Sequence, residues 1–138
     1  MFSSPISLGF AVLFCQILYY SVLFLNGFEL MGRLIKVAGT NQEGRINIVK
    51  RYCKVGLDID LVRESDNVHD ANALAVYLIV PRLFGLTKSK EKIGYVSAGI
   101  AKSLARKIDN GTMVQGYVRS FYVSNDLEFC RVSAVLEY

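Results

Sequence analysis

The stretch LVRESDNVHDANALAVY, residues 61–77, joins two apolar, strand-like ends through a dense polar segment. That segment holds two aspartates, two asparagines and the single histidine of the chain. Asp and Asn side chains accept hydrogen bonds from backbone N–H groups a few residues further on, so Asp66, Asn67, Asp70 and Asn72 can build a rigid polar turn. This structural role is expected above all for Asp66 and Asn72. A tight turn needs only one or two such residues. The segment therefore either holds itself together or holds a ligand.

Length and charge limit the possible classes of function. With 138 residues, the chain has room for one ordinary domain with a core. The first charged residue is Glu29, and beyond Met31 the net charge is +5 because all 16 basic residues lie there. This mild excess is compatible with a phosphate-bearing partner but does not identify one. The chain is expected to divide into a hydrophobic segment, residues 1–30, and a folded domain, residues 31–138.

The hydrophobic segment contains a candidate membrane span. Residues 6–28 are uncharged and as a helix would extend about 35 Å, enough to cross the hydrocarbon core of a bilayer. Arg33, Lys36 and Arg45 follow the span, so the positive-inside tendency predicts a membrane-anchored protein with its C-terminal domain in the cytoplasm. Two alternatives are a buried core helix and translation from Met31, which would give an intracellular soluble protein.

The sequence gives no reason to expect catalysis, a metal or a cofactor. Cys15, Cys53 and Cys130 are isolated from one another and form no C-x-x-C pair, so they are expected to be small buried hydrophobes. The single His69 has no Ser or Cys nucleophile at a recognisable spacing, and the chain has no phosphate-binding glycine motif. We therefore expect a non-enzymatic protein.

The hydrophobic pattern predicts an α+β domain that is mainly β, with about six strands and two helices in a small antiparallel barrel. Strands are predicted at residues 33–39, 57–64, 73–80, 92–96, 113–123 and 127–138, and helices at residues 42–53 and 97–111. Ser97 is predicted to cap the second helix and Asn110-Gly111 to end it, with an apolar stripe of Ile100, Leu104 and Ile108 between them. Gly44 predicts a late start for the first helix. The series Leu74, Val76 and Leu78 predicts a half-buried strand, and Gly94 is predicted to allow a close backbone approach. Residues 81–92, PRLFGLTKSKEK, are predicted to be a loop because Pro81 breaks strands and the charges alternate. The lysines of this loop are either solvated or in contact with phosphates.

Residues 63–76, RESDNVHDANALAV, together with Gly94 and Tyr95, resemble the HIRAN domain family. Its members typically show Arg-Glu-Pro-Asp-Asn-Pro-Tyr-Asp-x-Asn-Ala-Ile-x-Val, followed by Gly-Tyr or Gly-His. The resemblance covers residues 33–138. It implies an OB-like barrel that binds DNA, known best as an accessory module of helicase-like ATPases that remodel stalled replication forks. Such modules capture single-stranded 3′ ends, which implies a role in DNA repair.

The resemblance also implies which residues bind nucleic acid. An amide at Asn67, a ring at His69 and a carboxylate at Asp70 can read a base edge, stack on a base and accept a hydrogen bond from a terminal hydroxyl. Tyr95 is expected either to present its hydroxyl or its ring to the same ligand or to be a half-buried tyrosine of a strand. Arg45 is expected to contact the DNA backbone.

The sequence departs from the family pattern at several positions. Ser65 and Val68 stand where prolines are usual, and His69 stands where Tyr is common. The segment Thr40-Asn-Gln-Glu43 lacks the basic and aromatic residues that end-binding relatives use to grip a terminal base. These departures keep an alternative open: a membrane-tethered protein-interaction or structural module that keeps the fold and has lost nucleic-acid binding.

Overall fold

The computed structural model of the protein describes residues 14–15, 17–18, 32–42 and 44–138. Six strands and two helices lie in one unit of the chain, Met31–Tyr138. The strands are β1 (Arg33–Ala38), β2 (Asp58–Arg63), β3 (Leu74–Arg82), β4 (Thr87–Val96), β5 (Gln115–Val123) and β6 (Cys130–Glu137). The helices are α1 (Arg45–Tyr52) and α2 (Ala98–Asp109).

The strands form a closed antiparallel barrel in the order β1-β4-β3-β2-β5-β6, with β6 returning to β1. Because the barrel is closed, each strand pairs with a neighbour on both sides. Closure therefore removes the free sheet edge at which proteins commonly associate. The predicted fold class, a mainly β α+β barrel with two helices, is confirmed.

Apolar side chains at alternate positions of the strands point inward and fill the barrel. Leu74, Val76 and Leu78 of β3 are completely buried, as the predicted half-buried strand requires. Val49 of α1 and Leu104 of α2 add fully buried side chains from the two helices.

Cys53 and Cys130 are part of this core, as predicted, whereas Cys15 is exposed, so the prediction of a buried side chain is wrong for that residue. Burial, with a smaller contribution from the neighbouring Cys130, raises the pKa of the Cys53 thiol to about 12. Burial likewise raises the pKa of Cys130. Both thiols therefore stay protonated at neutral pH and behave as small hydrophobes.

The prediction of a loop over residues 81–92 is wrong. β3 runs on to Arg82 and β4 begins at Thr87, with a single 3-10 turn, Leu83–Gly85, between them. Pro81 pairs with β4 only, because the ladder between β2 and β3 ends at Leu78. Its missing N–H is therefore tolerated, as it is on an edge strand.

The three lysines of this segment are strand residues, and two of them, Lys90 and Lys92, have ion-pair partners. Lys90 Nζ lies 2.5 Å from Asp60 Oδ2, and Lys92 Nζ lies 2.6 Å from Glu64 Oε1. Alternating charge was interpreted as a solvated loop because the acidic partners lie on or just beyond another strand, far away in sequence.

A β-bulge at Ile93 changes which side chains of β4 face outward. Val76 pairs with Gly94 and Tyr77 pairs with Lys92, so Ile93 is an extra residue of β4 without a partner on β3. Strand residues three apart normally lie on opposite faces. Because of the bulge, Ile93 and Val96 are both buried, while Lys92 and Tyr95 lie together on the outside.

Gly94 lies next to the bulge, where β1 crosses β4 closely. A Cβ atom at this position would lie 2.2 Å from the carbonyl oxygen of Ala38, a distance that backbone atoms cannot accommodate. The close backbone approach predicted for this glycine is confirmed.

The helix ends agree with the sequence except at one cap. Gly44, with φ +84°, precedes α1 and gives it the late start that was expected. Ser97 occupies the N-cap position of α2, but its side chain makes no capping bond, and its carbonyl accepts the N–H of Ala101 at 2.9 Å instead. The predicted side-chain cap is therefore wrong, while the stop at Asn110 and Gly111 is confirmed.

In the part of the chain that the structure describes, no helix is both long enough and apolar enough to cross a bilayer. The predicted span over residues 6–28 lies outside the described residues, apart from the four helical residues at 14–15 and 17–18.

Candidate nucleic-acid interface

An open cleft of about 340 Å³ lies on the outer surface of the barrel, between the polar turn after β2, the start of α1 and the end of β4. It is lined by Gln42, Arg45, Asn67, His69, Asp70, Ala73, Tyr95, Val96 and Ala98. All five residues predicted to bind nucleic acid are in this lining. The fold thus brings together side chains that are up to fifty residues apart in sequence.

Asn67 and Asp70 build the polar turn. The Asn67 Oδ1 atom accepts the backbone N–H of His69 at 2.9 Å and that of Asp70 at 3.4 Å. The Asp70 Oδ1 atom accepts the backbone N–H of Asn72 at 2.8 Å. Side chains that bond a backbone N–H two residues on fix the conformation of a turn.

The division of roles predicted for this turn is therefore wrong in part. Asp66 and Asn72 were expected to build the turn, yet among the described residues the side chains of both have no hydrogen-bond partner. Asn67 and Asp70, which were also predicted to bind the ligand, carry the turn. Their contact with a ligand stays a prediction.

Glu64 is the residue that the sequence analysis missed. Its Oε1 atom accepts Lys92 Nζ at 2.6 Å, and its Oε2 atom accepts the Tyr95 hydroxyl at 3.0 Å and Asn67 Nδ2 at 3.2 Å. Lys92 also donates to the Tyr95 hydroxyl oxygen at 2.7 Å. The carboxylate therefore connects the end of β2, the polar turn and β4 behind the cleft.

The ion pair between Glu64 and Lys92 shifts the pKa values of both side chains. The hydrogen bond from Lys92 lowers the pKa of the Glu64 carboxyl, with smaller contributions from Asn67 and Tyr95. Burial alone would lower the pKa of the Lys92 ammonium, but its hydrogen bonds to Glu64 and Tyr95 outweigh burial and raise it. Both groups are charged at neutral pH, and each stabilises the other.

Arg45 and Tyr95 form one wall of the cleft. The Arg45 guanidinium carbon lies 5.3 Å from the centroid of the Tyr95 ring, within the range of a cation–π contact. Its Nη1 atom donates to the Gly39 carbonyl at 3.0 Å. Because a guanidinium has five N–H donors, others remain to face a ligand.

His69 is exposed at the rim of the cleft. Its backbone N–H is fixed by Asn67, so the position of the residue is set while its ring stays accessible. This arrangement suits a stacking contact with a planar ligand.

Thr40 and Asn41 lie in the segment that lacks the basic and aromatic residues of end-binding relatives, and both bond to β6. The Thr40 hydroxyl donates to the Cys130 carbonyl at 2.9 Å, and the Asn41 Oδ1 atom accepts the Cys130 N–H at 2.6 Å. Gln42 lines the cleft. These first residues tie the loop before α1 to β6 rather than reaching for a terminal base.

Groups that could hold a metal ion are not found among the residues whose positions are described. The charged lining of the cleft consists of one cation, Arg45, and one carboxylate, Asp70, with His69 as the remaining ionisable imidazole. The cleft therefore offers a ligand hydrogen bonds, stacking surfaces and one charge of each sign.

A closed six-stranded barrel with two helices and a polar cleft on its outer surface defines a small OB-like binding module. The HIRAN domain model matches residues 33–134, more than half of the chain, and the chain belongs to the HIRAN domain family.

Two solved structures share the fold. A protein from Lactobacillus plantarum is 23% identical, with a TM-score of 0.54, over 78% of this chain and 95% of that one. The HIRAN domain of human HLTF is 17% identical, with a TM-score of 0.53, over 77% of this chain and 74% of that one. No curated protein sequence matches the chain.

Proposed function

We propose that the barrel binds single-stranded DNA and holds its 3′ end in the cleft, as a non-enzymatic module in DNA repair or replication-fork processing. HIRAN domains are DNA-binding modules, which supports a nucleic-acid-binding role in general. The observation that carries the finer proposal is the joint presence of Arg45, His69, Asp70 and Tyr95 in one open cleft.

Asp70 is the residue that selects the end of the strand. Its Oδ1 atom is held by the N–H of Asn72, which orients the carboxylate and leaves Oδ2 as an acceptor at the cleft. A free 3′ hydroxyl can donate to this oxygen. An internal or terminal phosphate is repelled by it, so a negative charge in a DNA site favours a free end.

Arg45 and His69 supply the remaining contacts. The guanidinium of Arg45, fixed against the Tyr95 ring, provides charge-assisted hydrogen bonds to the phosphate next to the terminal nucleotide. The exposed His69 ring stacks on the terminal base. Asn67 and Tyr95 act mainly as positioning residues, since their polar atoms are bonded within the network of Glu64.

Fluorescence anisotropy with the full-length protein in a mild non-ionic detergent tests this proposal. The probes are labelled single strands of one sequence that carry either a 3′ hydroxyl or a 3′ phosphate. The wild type should bind the free hydroxyl more tightly. Asp70→Asn keeps an oxygen for the Asn72 N–H but removes the charge, so its preference for the hydroxyl should fall by about tenfold, in line with a charge-assisted hydrogen bond.

Asp66→Asn is the matched control. It removes one negative charge from the same loop, but Asp66 is not part of the cleft lining, so the preference for the free hydroxyl should be unchanged. Equal binding of both strands by the wild type would contradict end recognition. Negligible binding of both, or an affinity with little dependence on salt, would favour a protein-interaction module instead.

A further inference from the structure

A second cavity, of about 220 Å³, lies at the opposite end of α1 from the cleft. Three of its lining side chains are basic, Arg51, Lys54 and Arg82, and none is acidic. Tyr52 contributes the aromatic surface, and Leu57 and Val80 contribute apolar surface. We call this feature the basic pocket.

The basic pocket is built around a fixed guanidinium. The Arg82 carbon Cζ lies 4.5 Å from the centroid of the Tyr52 ring, and Arg51 Cζ lies 5.3 Å from the same centroid. Arg82 Nε donates to Ser89 Oγ at 2.9 Å, and Nη2 donates to Glu91 Oε1 at 3.1 Å. A planar guanidinium held in this way offers a surface on which a base can stack.

The charges of Arg51 and Lys54 are not neutralised by a neighbouring carboxylate among the described residues. Arg82 is paired with Glu91, but among the described residues neither Arg51 nor Lys54 has a carboxylate within ion-pair distance. Both side chains are exposed. They are therefore free to contact a phosphate without first breaking an ion pair.

The cleft supplies one cation for DNA phosphates, fewer than a longer strand requires. Its single cation, Arg45, is offset by the carboxylate of Asp70. Affinity for a nucleic-acid strand comes largely from phosphates neutralised by Lys and Arg. A strand whose end lies in the cleft therefore needs a basic surface further along its path, and α1 leads from one cavity to the other.

We propose that the basic pocket binds the backbone of the same single strand whose 3′ end is held in the cleft, an inference that rests on the function proposed above. Arg45 is the first residue of α1 and Tyr52 the last, so the two sites are about 10 Å apart along the helix. Arg51 and Lys54 contact phosphates there, and Arg82 stacks against a base.

The test compares the wild type with the double variant Arg51→Gln/Lys54→Gln, which leaves the bonded Arg82 intact. Full-length protein in mild detergent is titrated with thymidine dinucleotide and octanucleotide, each with a free 3′ hydroxyl, at several salt concentrations. The octanucleotide should bind the double variant more weakly, and the slope of log affinity against log salt should become shallower by about 1.4 for two lost phosphate contacts. Dinucleotide binding should not change.

The control is Lys102→Gln/Arg106→Gln, which removes the same charge from α2 at positions that line neither cavity. Its salt slope should equal that of the wild type. A double variant with unchanged slope, or a control with an equal loss, would overturn the basic pocket while end recognition by Asp70 still stands. A wild type that binds neither oligonucleotide would overturn both proposals. Capture by phosphatidylserine vesicles with no change in the oligonucleotide slope would instead assign the pocket to lipid.

Discussion

Glu64 joins three partners that lie 3, 28 and 31 residues away along the chain: Asn67, Lys92 and Tyr95. Its carboxylate bonds the polar turn to β4 and so fixes the back wall of the cleft. A carboxylate that accepts several hydrogen bonds is strongly favoured in its ionised form. The shape of the site therefore depends on a residue that does not itself line it.

The lowered pKa of Glu64 predicts a pH dependence of stability. The unfolded carboxyl takes up a proton near pH 4.3, about its ordinary pKa, while the folded carboxyl resists protonation until a lower pH. The stabilisation by the Glu64 carboxylate is thus complete above the unfolded pKa and is lost as the pH falls through the lower, folded pKa. Glu64→Gln should lower the thermal midpoint at pH 7, and the difference from the wild type should shrink towards pH 3.

Glu128→Gln serves as the control for this measurement. The Glu128 side chain is exposed and has no hydrogen bond or ion pair among the described residues. Its thermal midpoint should follow the wild type at every pH. A constant difference between Glu64→Gln and the wild type from pH 7 to pH 3 would show that the charge of Glu64 does not contribute.

At the scale of elements, the hairpin of β3 and β4 ends in an exposed tip with a strained backbone. Its tip exposes Leu83, Phe84 and Leu86 to solvent. Leu83 and Phe84 also have positive φ angles, of 49° and 56°, which residues with a Cβ atom adopt at a cost. The ladder between the strands, and not the tip, therefore holds the hairpin together.

Relief of this backbone strain should stabilise the protein. Asn tolerates the left-handed conformation better than Phe, and Phe84 is fully exposed, so Phe84→Asn loses no packing. We expect the free energy of unfolding to rise by about 1 kcal/mol. Urea denaturation measures this change.

The matched control is Val68→Asn, which also replaces an exposed apolar side chain, at a position without positive φ. Its free energy of unfolding should stay close to that of the wild type. An equal gain in both variants would mean that solubility of the surface, and not backbone strain, is responsible.

The whole molecule combines a closed barrel with an uncharged N-terminal segment. The barrel unit carries the family match, the cleft and the basic pocket. Residues 6–28 have the length and composition of a bilayer span, which is a property of the sequence alone. Tethering would confine the barrel to a membrane surface.

Membrane attachment stays a prediction that fractionation can test. The full chain should sediment with membranes and resist extraction by high salt, because burial of a long apolar segment is not weakened by ionic strength. A chain that begins at Met31 should stay in the supernatant. If both chains stay in the supernatant, the predicted span over residues 6–28 is wrong.

Much of the fold could be predicted from local patterns. The apolar stripe of α2, the alternation along β3 and the glycine next to Tyr95 each identified their element, because each reflects contacts that a single segment makes with the core. The hairpin of β3 and β4 could not be predicted in this way, because its charged residues have partners on another part of the chain. Lys90 and Lys92 look like loop residues until Asp60 and Glu64 are placed beside them.

The candidate site divides in the same way. A fixed spacing of polar residues identified Asn67, His69 and Asp70, since the turn they form is closed by hydrogen bonds over two or three residues. Glu64 lies in the same stretch, yet nothing in its immediate sequence separates it from an exposed surface acid. Its partners on β4 became visible only with the strand pairing.

The sequence by itself determined a small β-rich barrel, its polar turn and its family, because alternation, turn chemistry and motif spacing act over a few residues. Only the tertiary structure decided how the site is assembled. Ordinary alternation would send Lys92 and Tyr95 to opposite faces, and the bulge at Ile93 brings both to the outer face, beside Glu64. A bulge is set by how two strands pair, and pairing depends on residues that are distant in sequence.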